Sequence, residues 1–159
     1  MTETEIPWYD QVALPALLRH ARTAYGTAMR HALEQAGYDD IPGNGLYVIG
    51  GMAMGENGLP LGQLILELGV SKQAAGQLVD ALVLRGYLER RVDEEDRRRL
   101  TVSLTERGQA AAMVQAEARA RVDEALLASV GAESVAHTRR ALAVLCQMGR
   151  RSGEAGEEG

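Results

Sequence analysis

The stretch VSKQAAGQLVDALVLRGYLERRVDEEDRRRLTVSLTERG, residues 70–108, carries three successive patterns that decide the fold. From 71 to 85, apolar side chains at Ala74, Ala75, Leu78, Val79, Leu82 and Val83 recur at spacings of three and four, which predicts a helix with one buried face. Ser71 stands at the N-cap position, where its hydroxyl can accept a backbone N–H of the first turn. Gly86 follows at once, as expected where a helix ends on a left-handed residue. The other face carries Lys72, Gln73, Gly76, Gln77 and Asp80. These short or hydrogen-bonding side chains leave the backbone nearly bare, so a second surface can lie against it.

Beyond the helix the period changes to two. Leu88, Arg90 and Val92 precede a charged run, and Leu100, Val102 and Leu104 follow it, interleaved with Thr101 and Ser103. Alternation on both sides predicts a two-stranded hairpin with one buried face. The run between the strands, residues 93–99, is too polar to bury and forms the tip. Thr105 then caps a new helix, with Glu106 near its positive end. Helix, hairpin, helix is the outline of a winged helix-turn-helix.

Val79 to Leu82, Arg85-Gly86-Tyr87-Leu88-Glu89-Arg90, Asp93-x-x-Asp96-Arg97-Arg98 and Leu104-Thr105-Glu106-x-Gly108 together resemble the multiple-antibiotic-resistance regulator (MarR) family. The likeness implies a mainly helical fold with a small β-hairpin wing, assembled as a homodimer on double-stranded DNA. In relatives this is a transcriptional regulator, usually a repressor, on a pseudo-palindromic operator. The 71–85 helix would enter the major groove by its first turns. Ser71 and Lys72 suit phosphates, Gln73 and Gln77 suit base edges, and Ala74 can meet a thymine methyl while Ala75 packs inward. Gly76 and Gln77 depart from the Ser, Thr or Arg common in relatives, so no base preference is carried over. In the wing, the resemblance places Arg97, with Arg98, at the minor groove, and has Asp93 and Asp96 shape the tip. A narrow minor groove has enhanced negative potential, which suits a planar guanidinium. Relatives also bind small phenolic or lipophilic effectors between the dimer helices and the DNA module. The candidates here are His20, Tyr25, Tyr47 and Met52, each of which also reads as plain core.

The bulk properties set bounds on this reading. A chain of 159 residues, 46% of them hydrophobic, suits one domain or a small dimerising fold. The absence of Phe and the many Ala and Leu favour helices. A net charge of −5 runs against a nucleic-acid binder, but its distribution matters more than its sum. Acids gather at the ends, at Glu3, Glu5, Glu154, Glu157 and Glu158, while Arg85, Arg90, Arg91, Arg97, Arg98 and Arg99 lie in and beside the wing. For a basic surface to form there, Glu89, Asp93, Glu94, Glu95 and Asp96 must point away or pair with arginines. The single Cys146 excludes an internal disulfide and reads as a buried structural thiol. His20, His31 and His137 are scattered without metal-ligand spacing, so no metal or cofactor is expected. No nucleophile elbow or phosphate loop is present, and Gly43, Gly45, Gly50 and Gly51 match no dinucleotide pattern, so catalysis is not expected. With no apolar run of membrane-spanning length and no signal-peptide form at the start, a cytoplasmic protein without membrane contact is expected. The rival to DNA binding is a winged helix used only to contact other proteins.

The rest of the chain fits around this module. Residues 9–36 read as one amphipathic helix, which either starts or kinks at Pro15 and is ended by Gly37. Residues 45–54 are apolar; family placement makes them a second helix, whereas Gly50 and Gly51 leave a strand open on propensity. Residues 56–58 read as a turn, Pro60 as the first position of a helix over 61–68, and Gly69-Val70-Ser71 as a tight turn. Residues 105–130 and 134–150 form two further helices divided at Gly131. The expected division is a dimerisation helix in 1–40, the winged module in 41–104, dimerisation helices in 105–150 and a disordered acidic tail in 151–159.

Overall fold

The computed structural model describes residues 6–54, 60–92, 97–98 and 100–154. A short 3-10 turn at Trp8–Gln11 precedes α1, Leu14–Gln35. Pro15 therefore lies inside the first helical turn, where a missing N–H costs nothing, and α1 starts beside the proline, one of the two outcomes expected there, rather than at Tyr9. Its end is set by Gly37 at φ 86, with Tyr38 N donating to Leu33 O at 2.8 Å and Gly37 N to Glu34 O at 3.1 Å. That pair of reversed bonds satisfies the last carbonyls of the helix.

Residues Gly45–Met52 form α2 in spite of their glycines. Close packing overrides propensity here. A Cβ on Gly51 would lie 2.3 Å from Leu64 Cδ2, and one on Gly45 would lie 3.0 Å from side-chain carbons of both Ile41 and Leu82. The turn expected at residues 56–58 lies outside the described residues. Helix α3 spans Leu61–Leu68 as expected, with Pro60 as its N-cap rather than its first helical residue. Leu64 is buried there, with Leu61, Ile65 and Leu68 packed against the core. Gly69, at φ 63, ends α3 and leads into α4, Lys72–Leu84, whose N-cap is Ser71 as expected: its Oγ accepts Ala74 N–H at 3.1 Å.

Gly86, at φ 77, closes α4, and Tyr87 N donates back to Leu82 O at 2.9 Å. The reversal points Tyr87 into the core beside Leu82, so the sharp stop of the helix also anchors the hairpin that follows. Strands β1, Leu88–Val92, and β2, Leu100–Leu104, pair antiparallel with Leu88 opposite Leu104, Arg90 opposite Val102 and Val92 opposite Leu100. Only the base is buried: Leu88 is sealed, whereas Val92 is 54% exposed. Thr105 joins β2 to α5, Glu106–Glu154, accepting Gly108 N–H at 3.0 Å while its own hydroxyl donates to Gly86 O at 2.5 Å.

The core gathers Leu33 of α1, Leu46 and Ile49 of α2, Leu82 of α4, Tyr87, Leu88, and Ala111 and Ala118 of α5. Two units, Met1–Arg119 and Ala120–Gly159, divide the chain. In the second unit α5 leaves helical geometry at Gly131, where φ is 81 and ψ 163, and then continues to Glu154. Leu126, Leu127, Val130, Leu142, Val144, Leu145 and Met148 are exposed on it. Cys146 is exposed too, against the expectation of a buried thiol, because the helix carrying it leaves even its apolar neighbours open to solvent.

Candidate nucleic-acid interface

The capping of α4 by Ser71 and the burial of Ala75, Val79 and Leu82 fix which way this helix faces. Ser71, Lys72, Gln73, Ala74 and Gln77 are all exposed, so the predicted contact residues come together on one surface. Ala74, counted by spacing among the apolar positions, lies outside while Ala75 lies inside. A Cβ placed on Gly76 would meet nothing within 4 Å, which leaves a shallow gap between the side chains of this face.

Arg97 and Arg98 are exposed in the turn of the hairpin. Asp93 and Asp96, expected to shape the tip, lie outside the described residues. Lower on the hairpin the acids engage arginines. Arg90 pairs with Asp80 of α4, and Arg91 Nη2 lies 2.5 Å from Glu89 Oε1. Thr101 Oγ1 donates to Arg91 O at 3.3 Å and Ser103 Oγ to Glu89 Oε1 at 3.4 Å, further tying the two strands.

At the base of the wing stands a cluster that residue patterns did not disclose. The Tyr87 hydroxyl donates to Asp40 Oδ1 at 2.5 Å and accepts from Arg107 Nη2 at 3.0 Å, while Arg107 also reaches Asp40 Oδ1 at 3.2 Å. The guanidinium lies over the rings of Tyr87 and Tyr38, at 4.7 and 5.5 Å from their centroids. Hydrogen bonding from Tyr87, then the nearby Arg107, holds the Asp40 carboxyl below its ordinary value, with burial opposing. Burial first, and the bond to Asp40 second, push the Tyr87 phenol up to about 12. The Arg107 guanidinium is raised, chiefly by its bond to Tyr87. Asp40 is 47 residues from Tyr87 in sequence, so no local periodicity could have linked them. This clasp joins the loop before α2, the start of the wing and the first turn of α5, and so fixes the hairpin's root.

The MarR family model matches residues 40–99, the span from the clasp through the wing. Over that span the chain resembles the MarR family. Solved structures agree in fold. A transcriptional regulator from Thermotoga maritima is 25% identical, with 87% of this chain and 94% of that one covered at a TM-score of 0.54. Streptococcus pneumoniae FabT, solved in complex with DNA, is 20% identical over 90% of this chain and 98% of its own, at a TM-score of 0.71. Staphylococcus aureus MepR bound to ethidium bromide is 18% identical over 87% and 98%, at 0.55. A search of curated proteins gives no match. Among the described residues, no helix is long and apolar enough to cross a membrane.

The structure also contains a cavity of about 350 Å³ lined from α1, α2, α3 and α5. Met29, Leu46, Tyr47, Leu64 and Leu68 give it an apolar wall, and Arg22, Glu67 and Arg119 add charge. Arg22 stacks over the Tyr47 ring at 4.6 Å. Gln115 also lines it; this side chain is 1% exposed, and its Nε2 has no hydrogen-bond partner. Burying an amide donor unpaired is costly. Of the four residues expected in an effector pocket, only Tyr47 lines this cavity. His20 is exposed on α1, and Tyr25 and Met52 pack against the core. Gln115 was not anticipated, because a Gln in an Ala-rich helix reads as a solvated position.

Proposed function

We propose that this chain is a MarR-family regulator, acting as a homodimer that binds a pseudo-palindromic operator and represses transcription. The observation that carries the reading is the exposed face of α4, with Ser71, Lys72, Gln73, Ala74 and Gln77 together, in a module whose hairpin turn exposes Arg97 and Arg98. Such a helix is shaped for a major groove and such a hairpin for the flanking minor groove. The complex of the similarly folded FabT with DNA supports the same partner. Two modules on a two-fold axis would meet half-sites about one helical turn, roughly 34 Å, apart.

Dimerisation is supported by the apolar side chains left open on α5, among them Leu126, Leu127, Val130 and Leu145, and by the exposed Trp8 and Leu14 near the start of α1. A closed isologous contact buries such patches on both copies at once. In this reading residues 1–40 and 105–150 join the protomers and 41–104 contact DNA.

Release by a small molecule is the second part of the proposal, favoured by the unpaired Gln115 amide in a largely apolar cavity. An effector with an aromatic body and an acceptor atom would satisfy it, and the ethidium complex of MepR offers a parallel from a similarly folded protein. The rival role as a protein-interaction module draws on the net charge of −5. Electrophoretic mobility shift against the DNA upstream of the protein's own gene separates the two. A salt-sensitive shifted band containing two chains supports the proposal, and no shift at low salt supports the rival.

A further inference from the structure

Asp80 is out of place on a surface meant for phosphates. It follows Gln73, Gly76 and Gln77 by seven, four and three residues, so helical geometry puts it on the same face as the proposed reading residues. Its carboxylate is 64% exposed and pairs with Arg90 of β1, 42% exposed, so the pair ties the far end of that face to the wing strand. The neighbouring Arg91 is matched by Glu89 in the same way. Both arginines of β1 thus carry a carboxylate partner.

We propose that Asp80 is a charge mask: it cancels Arg90 on the DNA-facing side and so sets how strongly the protein is drawn to nucleic acid regardless of sequence. The inference rests on the DNA-binding reading above. Its physical basis is counterion release, since sequence-independent affinity grows with the number of phosphates neutralised by net positive charge. An Asp80–Arg90 pair has no net charge whether its partners touch or part, so it displaces no counterions. Arg90 without Asp80 would neutralise about one further phosphate. Lowering this indiscriminate attraction leaves more of the binding to the base-contacting residues of α4, because competing sites in the genome are bound mainly through charge. The pair is exposed, and removing it should leave the fold intact.

Four proteins test the proposal: wild type, Asp80→Asn, Arg90→Ala and the double variant, each checked for folding by circular dichroism. Their affinity for a random-sequence duplex is measured by fluorescence anisotropy over a series of salt concentrations. The mask predicts that Asp80→Asn steepens the slope of log K against log salt by about 0.9 and tightens low-salt binding several-fold. Arg90→Ala alone, which bares Asp80, should not steepen the slope, and the double variant should return to the wild-type slope. An unchanged slope in Asp80→Asn, or a double variant that keeps a slope steeper than wild type, overturns the mask. Heparin-agarose provides a readout that needs no DNA: Asp80→Asn should elute at higher salt than wild type, and the double variant should not. If no form binds duplex while the heparin order holds, the DNA reading fails and the mask stands; if all four elute together, the mask fails by itself.

Discussion

Replacing Tyr87 by Phe tests whether the clasp at the wing root is an energetic element of the fold. The ring is fully buried and stays, so no cavity forms and the change is confined to one hydroxyl. Lost with it are the bond donated to Asp40 at 2.5 Å and the bond accepted from Arg107 at 3.0 Å. Hydrogen bonds to charged partners contribute about 1.5–3 kcal/mol each when nothing replaces them. Here Asp40 and Arg107 retain their own contact at 3.2 Å, and their side chains, 41% and 43% exposed, can recruit water. The expected loss therefore falls to about 1–2 kcal/mol for both bonds together. Urea unfolding followed by circular dichroism should show a lower midpoint with an unchanged slope. Asp40→Asn combined with Tyr87→Phe should cost less than the sum of the single changes, as expected for partners in contact. A second signature lies at high pH. The folded state holds the phenol at about 12 against 10.0 when unfolded, so the neutral form is favoured by folding. That contribution is complete below pH 10.0 and is lost as pH rises toward about 12. Tyr87→Phe should abolish this alkaline loss. Unchanged urea stability, additive single and double variants, or an alkaline limb undiminished in the Phe variant would refute the clasp.

The same Gly→Ala substitution should act with opposite signs at two helical positions. At Gly108 a Cβ would stand 2.1 Å from the Tyr87 carbonyl oxygen, a backbone atom, so overpacking of about 1–3 kcal/mol should lower the thermal midpoint; at Gly76, with open space around it, Ala should raise stability by up to about 1 kcal/mol. Gln115→Met removes the unpaired amide while keeping side-chain length, and should stabilise by about 1 kcal/mol in thermal melts while weakening any effector response; a drop in stability would show that the amide is satisfied. Arg97→Ala should weaken operator binding and flatten its salt dependence by about one unit, and equal slopes would remove Arg97 from the interface. Acid unfolding should involve Asp40, whose depressed carboxyl stabilises the fold above its unfolded value near 3.8 and loses that contribution as pH falls through its lower folded value; Asp40→Asn should blunt this limb.

Local patterns disclosed the winged module because each of its signals lies within a few residues. Ser71 caps α4, Gly86 ends it, alternation sets the β1–β2 register, and Thr105 opens α5, all as spacing predicts. The motif around Arg85-Gly86-Tyr87 also named the family that the model over residues 40–99 matches. Glycine-rich α2 was harder to assign. Its helicity depends on Leu64, Ile41 and Leu82 closing against bare backbone, which is tertiary packing that propensity does not contain. The Asp40–Tyr87–Arg107 clasp and the Asp80–Arg90 pair bring together residues from different elements, and only their folded juxtaposition gives them meaning. Gln115 shows the same limit from the other direction: a polar residue in an Ala-rich helix, it is among the most buried of the described residues. Cys146 is the converse case, assigned to the interior from its Leu145 neighbour, when both are exposed.

The central claim, that the α4 face and the wing bind duplex DNA as a pair, meets its most direct test in one titration. Wild-type protein is added to labelled duplex from upstream of its own gene, with anisotropy recorded at increasing salt and stoichiometry fixed at saturation. Two chains per site are expected, with an affinity that falls steeply and linearly on a log–log salt plot. Saturation at one chain per site, or no binding even at low salt, would contradict it.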